Sequence, residues 1–121
     1  MLNCLAVGLG GFFGAMLRYL AGLIDLHDSS GFPYKTLAVN ILGSFVIGLI
    51  GAYAAKAHNA DPRMILFLKT GLCGGFTTFS TFALESAGLI QNGRTGSAAL
   101  YMVLSVTLSI LAVFAAQYAV R

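Results

Sequence analysis

Residues 64–90 read MILFLKTGLCGGFTTFSTFALESAGLI, and the way this stretch folds decides the architecture. Only two positions are charged, and at 1.5 Å per residue a single helix over these 27 residues would be about 40 Å long. The hydrocarbon core of a bilayer is about 30 Å thick, so a break is expected inside the stretch. Gly74-Gly75 is the natural place for it, because an interior glycine costs about 1 kcal/mol of helix propensity and opens backbone angles that other residues avoid. Thr77, Thr78 and Ser80 then offer side-chain caps for a restarted helix. Irregular backbone at membrane depth needs polar company, so the freed carbonyls must face something. Two readings stand open: carbonyls gathered around a hard monovalent cation, or a plain glycine kink relieved by threonine hydroxyls.

Outward from this stretch the same composition continues. The chain has 121 residues, of which 58% are hydrophobic and only 9% charged, far below the roughly 25% charged of soluble domains. Three further apolar stretches, 4–24, 36–55 and 98–120, are each long enough for a helical span. The expectation is one all-α transmembrane domain over residues 1–121, with four spans (4–24, 36–55, 64–90, 98–120) and the third broken near its middle. The first stretch lacks a basic leader and reads as a span, not a removable signal. Short connections rich in turn formers (25–35, 56–63, 91–96) make successive spans antiparallel neighbours. The net charge of +3 comes from seven Lys or Arg against four acids, scattered along the chain, and such dilute charge is no nucleic-acid footprint. Cys4 and Cys73 have no partner spacing for a metal or a disulfide framework and read as small hydrophobes.

Charge also bears on orientation. Lys56, Arg63 and Arg121 fall on the side of the termini, Lys35 and Arg94 on the other, so the positive-inside bias is weak and permits insertion both ways. Two copies can then pair head to tail about a two-fold axis in the membrane plane. Four-residue spacings of small residues (Gly10 with Gly14, Gly11 with Ala15, and Ser44, Gly48 and Ala52 in line below Asn40) read as packing seams.

Polar residues inside spans cost about 2.5–3.5 kcal/mol each when charged at mid-membrane, so each needs a reason. Lys69 lies near the start of its span and can snorkel. Arg18 points to an interfacial or inter-subunit partner as readily as to conduction, and Glu85 to a pair with Arg18 or Lys69, or to a wet vestibule. Phe79 and Phe82, three apart, share a helix face, and ring edges offer partial positive charge to an anion. Ser80 and Thr81 lie beside them. Tyr101, Ser105 and Ser109 form a hydroxyl stripe at four-residue spacing, and Asn40 adds an amide inside the second span. The set describes a narrow path of neutral donors, with none of the elements an enzyme requires.

At this point Leu37-Ala38-Val39-Asn40-Ile41-Leu42-Gly43-Ser44-Phe45 together with GGFTTFSTF (74–82) resembles the small bacterial fluoride channels known as Fluc or CrcB, and the likeness runs the whole chain. The resemblance implies a dual-topology antiparallel homodimer in the inner membrane, in contact with lipid, with two pores passing fluoride passively out of the cytoplasm and conferring fluoride resistance. By motif, Asn40 matches the pore asparagine, Phe79 and Phe82 the fluoride-facing ring pair, and Tyr101 the pore-side tyrosine. Gly74 and Thr77 match the positions whose carbonyls hold a central sodium ion shared by both subunits. Thr78, Ser80 and Thr81 carry over as hydroxyls along a polar track, whereas Ser105 and Ser109 rest on the stripe. The alternative, a small four-span multidrug or proton-coupled exporter, relies on a carboxylate in its first span, and this first span has none.

Overall fold

The computed structural model describes residues 1–121 and is entirely helical. Helix α1 covers Leu2–Gly22, α2 covers Tyr34–Lys56, and the long last helix, α6, covers Thr95–Val120. These three are long and apolar enough to cross a membrane. The stretch between α2 and α6 is assembled from pieces: α3 (Pro62–Ile65), a π-helical segment (Leu66–Cys73), α4 (Gly74–Phe76) and α5 (Phe79–Gln91). Helix ends fall within a few residues of the boundaries read from hydropathy. Asp61 caps α3 by accepting from the Arg63 amide at 2.9 Å, with Pro62 in the first turn. At the other end of α5, Gly93 takes φ +77° and the Arg94 amide returns to the Leu89 carbonyl at 2.8 Å, the glycine-terminated stop that Asn92-Gly93 foretells.

The glycines of the third stretch serve a different purpose from the one the sequence indicates. Gly74 is helical, with φ −63° and ψ −38°, and the backbone leaves the helix three residues later. Thr77 (φ −82°, ψ 160°) and Thr78 (φ −150°, ψ 124°) are extended before α5 begins. Close approach of α1 explains Gly71 and Gly75 instead, whereas Gly74 faces open space. A Cβ at Gly75 would lie 2.6 Å from the Gly11 carbonyl oxygen, and one at Gly71 would lie 2.7 Å from that of Val7. Gly10 and Gly14 are buried against the same segment, so the seam read in the first span is a backbone-to-backbone crossing with the π-helix and α4.

Helix α2 packs along α6 in the same manner. A Cβ at Gly48 would fall 2.9 Å from Ala116 Cβ and 3.0 Å from the Val113 carbonyl oxygen. The Lys56 ammonium donates to the Val120 carbonyl at 2.5 Å, tying the two helix ends together with a cation where the α6 dipole is negative. Buried residues are few: Leu37, Leu89, Ala98 and Tyr101 form one small core, with Phe32, Ile41 and Phe82 packed on it. Large apolar side chains such as Leu9, Phe12, Val103, Ile110 and Phe114 face outward, the inverse of a soluble surface.

Candidate functional site

The interruption is held by one side chain from another helix. Asn40 on α2 donates from Nδ2 to the Thr78 carbonyl at 3.0 Å and accepts on Oδ1 from the Thr78 amide at 2.8 Å. Both backbone groups of Thr78 are thereby satisfied where no helical partner exists. The Thr78 hydroxyl caps α5 by accepting from the Thr81 amide at 3.2 Å. The Thr77 hydroxyl turns back and donates to the Cys73 carbonyl at 2.9 Å, which also accepts the Thr77 amide at 3.0 Å. Gly43 makes room for this arrangement, since a Cβ there would run into the Thr77 methyl group.

Beside the interruption lies a groove of about 350 Å³. Asn40 and Ser44 of α2, Thr77, Thr78, Phe79 and Phe82 around the break, and Ser105 and Ser109 of α6 line it, with Cys73, Gly43, Ile47 and Val106 completing the wall. It contains no ionisable acid or base other than the Cys73 thiol. Phe79 and Phe82 sit with ring centroids 5.5 Å apart and planes at 49°. Phe79 is 79% exposed on the open side, whereas Phe82 leans back on Tyr101 at 5.1 Å. The Ser105 hydroxyl is buried without a hydrogen-bond partner, as is that of Tyr101, so the α6 stripe carries unspent donors.

Most of the residues assigned in the sequence to the ion path and the cation site meet here, with four exceptions. Tyr101 does not line the groove; it is fully buried behind Phe82. Thr81 lines a separate pocket of about 180 Å³ with Arg18, Lys35, Thr36 and Thr78. Ser80 is exposed and lines neither. The helical register explains the split: with about 100° per residue from the restart at Phe79, Phe82 returns to the same face while Ser80 and Thr81 point elsewhere. Gly74 is exposed on the open side of its turn, and a Cβ there would meet nothing within 4 Å.

Glu85 pairs with neither Arg18 nor Lys69. Its Oε1 accepts from the Thr36 hydroxyl at 2.6 Å, and it lines a mouth of about 310 Å³ with Asp25, Asp28, Lys35 and Phe32. Of the expectations for Glu85, the vestibule is the one that matches this surrounding. In that mouth the Ser30 hydroxyl and amide hold the Asp28 carboxyl below its ordinary range. Ser44, Cys73 and Thr36 were not read as site residues. For Ser44 a signal existed, because Asn40, Gly43, Ser44 and Ile47 follow the i, i+3, i+4, i+7 pattern of one helix face.

These features define a class: a multi-pass helical membrane protein with an interrupted helix beside an uncharged groove of hydroxyl, amide and aromatic groups. Residues 5–117 match the family described as CrcB-like protein, Camphor Resistance (CrcB). The chain belongs to that family. It is 47% identical over 116 residues to the fluoride-specific ion channel FluC of Agrobacterium fabrum, covering 95% of this chain and 93% of that one. It is 48% identical over 102 residues to the FluC of Chlorobaculum tepidum, covering 84% and 81%. With the FluC of Rhizobium leguminosarum bv. trifolii the identity is 42% over 122 residues, covering 100% and 98%.

Proposed function

We propose that this protein is a fluoride-selective channel of the bacterial inner membrane, letting fluoride leave the cytoplasm down its gradient and so conferring fluoride resistance. The observation that carries the reading is the groove itself, where Asn40, Thr78, Phe79, Phe82, Ser105 and Ser109 converge with no fixed charge among them. Fluoride is small and holds its water tightly, so a conducting path must replace that water with closely spaced donors and still let the ion go. Neutral hydroxyls, an amide and ring edges meet both demands, whereas an Arg or Lys in the groove would bind too firmly for rapid exit. The naming of the relatives as fluoride-specific channels supports the same ion.

The working unit is an antiparallel homodimer of one transmembrane domain per chain, each of four passes, with two pores. The groove is open on one side, and Phe79 is largely uncovered there, so a single chain leaves the path unwalled. A central sodium ion fits the interruption. The Thr78 amide, which would otherwise reach the Gly74 carbonyl, is committed to Asn40, and no hydrogen bond falls on the Thr77 carbonyl. Gly74 and Thr77 therefore offer hard oxygen acceptors released from the helix ladder. One chain supplies too few oxygens for a cation, and a second copy across a two-fold axis doubles them. Bound there, sodium would neutralise carbonyl dipoles and hold two chains together.

The test is reconstitution in liposomes, following fluoride release with chloride as the control, with and without a proton gradient. Rapid fluoride efflux indifferent to the proton gradient is expected. Absence of fluoride flux refutes the reading, and drug-proton exchange would favour an exporter.

A further inference from the structure

We propose that Phe32, in the connection between α1 and α2, is a positioning residue for the groove ring Phe82, acting through Tyr101, and that Arg94 holds it in place. Five aromatic rings run in succession from that connection to the groove. Tyr34 and Phe32 lie 4.7 Å apart at 48°, Phe32 and Tyr101 5.6 Å at 76°, Tyr101 and Phe82 5.1 Å at 57°, and Phe82 and Phe79 5.5 Å at 49°. All four separations fall in the range where edge and face of neighbouring rings attract.

The middle ring is the one that transmits. Tyr101 is 0% exposed, and its hydroxyl lies beside Thr36 and Glu85 without a well-formed hydrogen bond to either, so ring packing is the main constraint on its orientation. Phe32 meets it nearly edge-on and Phe82 rests against it. On the groove side Phe82 has only Phe79 as an aromatic neighbour, and Phe79 is too exposed to brace it. The orientation of Phe82 in the groove wall therefore depends on what stands behind Tyr101.

The connection is built to deliver that ring. The Ser30 hydroxyl donates to Asp28 at 2.7 Å and accepts the Phe32 amide at 3.2 Å, a local turn that fixes the approach. Gly31 takes φ +76°, and the Arg94 guanidinium lies over it and donates to the Ser30 carbonyl. A Cβ at Gly31 would come within 2.5 Å of Arg94 Nη1, the movable end of the long side chain that forms the latch, so it is the positive φ that calls for glycine here. Pro33 then leads directly into α2. An exposed connection is thus tied to the α5–α6 turn at one point and sends a single ring inward at the next.

The functional half of this inference rests on the fluoride-channel reading, and the test separates the two. With 4-fluorophenylalanine incorporated at position 82, the fluorine resonance of the folded protein should shift or broaden in Phe32→Leu and stay at its wild-type position in Phe32→Tyr and in Phe114→Leu, an exposed α6 ring outside the ladder. In liposomes Phe32→Leu should lower fluoride flux about 2- to 10-fold, the worth of one aromatic contact, with Phe32→Tyr within about twofold of wild type. In a Tyr101→Leu background the Phe32→Leu loss should shrink to less than about twofold, as coupled neighbours require. An unchanged resonance in Phe32→Leu, or flux losses that simply multiply, overturns the proposal. Should wild type pass no fluoride, the channel reading falls and the resonance alone decides the ladder. Should Phe32→Leu fail to fold, Arg94→Ala, which keeps every ring, decides in its place: an unperturbed resonance there refutes the latch.

Discussion

Replacing Asn40 by Ala removes both hydrogen bonds that hold the Thr78 peptide groups, at 3.0 and 2.8 Å. A backbone donor or acceptor left unpaired out of water costs about 1–3 kcal/mol, so losing partners for two such groups sets a ceiling of about 6 kcal/mol. The groove of about 350 Å³ adjoins Thr78 and admits water, which re-solvates part of the loss. The net cost then lies near the lower end, about 2 kcal/mol, a sizeable share of the roughly 5–15 kcal/mol that holds a domain folded. The same figure predicts that the Thr78 amide exchanges its hydrogen about 30-fold faster, because its protection reports the local opening energy. Hydrogen exchange of the segment around Thr78 in detergent or nanodiscs measures this directly. Asn40→Asp divides the effect: the acceptor for the Thr78 amide survives, the donor to its carbonyl is lost, and a carboxylate now faces the groove. Its Thr78 amide should stay closer to wild-type protection than that of Asn40→Ala, while fluoride flux collapses in both. Unaltered exchange at Thr78 in Asn40→Ala would refute the clamp, whatever happened to flux.

Four further outcomes are expected. Phe79→Ile and Phe82→Ile keep much of the side-chain bulk but lose the positive ring edge, so flux should fall while folding and association persist; unchanged flux in both rules out the ring-edge mechanism. Gly75→Ala drives a methyl group to 2.6 Å from the Gly11 carbonyl oxygen and should cost about 1–3 kcal/mol in thermal or denaturant unfolding. Gly74→Ala meets nothing within 4 Å in its own chain, so any loss of association it causes reports a second copy at that face. If sodium sits at the Gly74 and Thr77 carbonyls, exchanging it for a bulky organic cation should weaken association and flux together, and an equally stable, active protein without sodium removes the ion from the account.

Helices were readable because their signal is additive: a window of twenty apolar residues leaves no other option, and the ends in Asn92-Gly93 and Asp61-Pro62 carry their own punctuation. The position of the interruption was not. Glycine permits unusual angles and also close approach, and Gly74-Gly75 looks the same in sequence whichever is in use. Only the presence of Gly11 against Gly75 identifies the second. Site residues on one helix face, such as Phe79 with Phe82 and Ser105 with Ser109, follow from spacing alone. Ser80 and Thr81 lie off this groove because their direction depends on where α5 restarts, and that is set by Thr78. The bond from Asn40 to Thr78 spans 38 positions, and no local pattern announces a pairing of that range.

Why the chain breaks at Thr77, and not at the glycines, follows from which neighbours each half serves. The segment from Leu66 to Phe76 packs on α1 through glycine contacts at Gly71 and Gly75, and those contacts demand an intact helical surface up to Phe76. Helix α5 packs on α6, through Phe82 on Tyr101. A single straight helix cannot serve both directions, so the backbone must turn between Phe76 and Phe79. An unpaired turn in an apolar surrounding would be costly, and Asn40 is the side chain of the facing helix α2 that can supply one donor and one acceptor at once. The polar groups of the site are therefore consequences of the packing conflict. Carbonyls come free at Gly74 and Thr77 because the ladder ends there, hydroxyls gather at Thr77 and Thr78 because the new ends need caps, and the ring pair begins at Phe79 because α5 does. An ion path can form at this joint because the fold has already collected there the neutral groups a small hydrated ion needs.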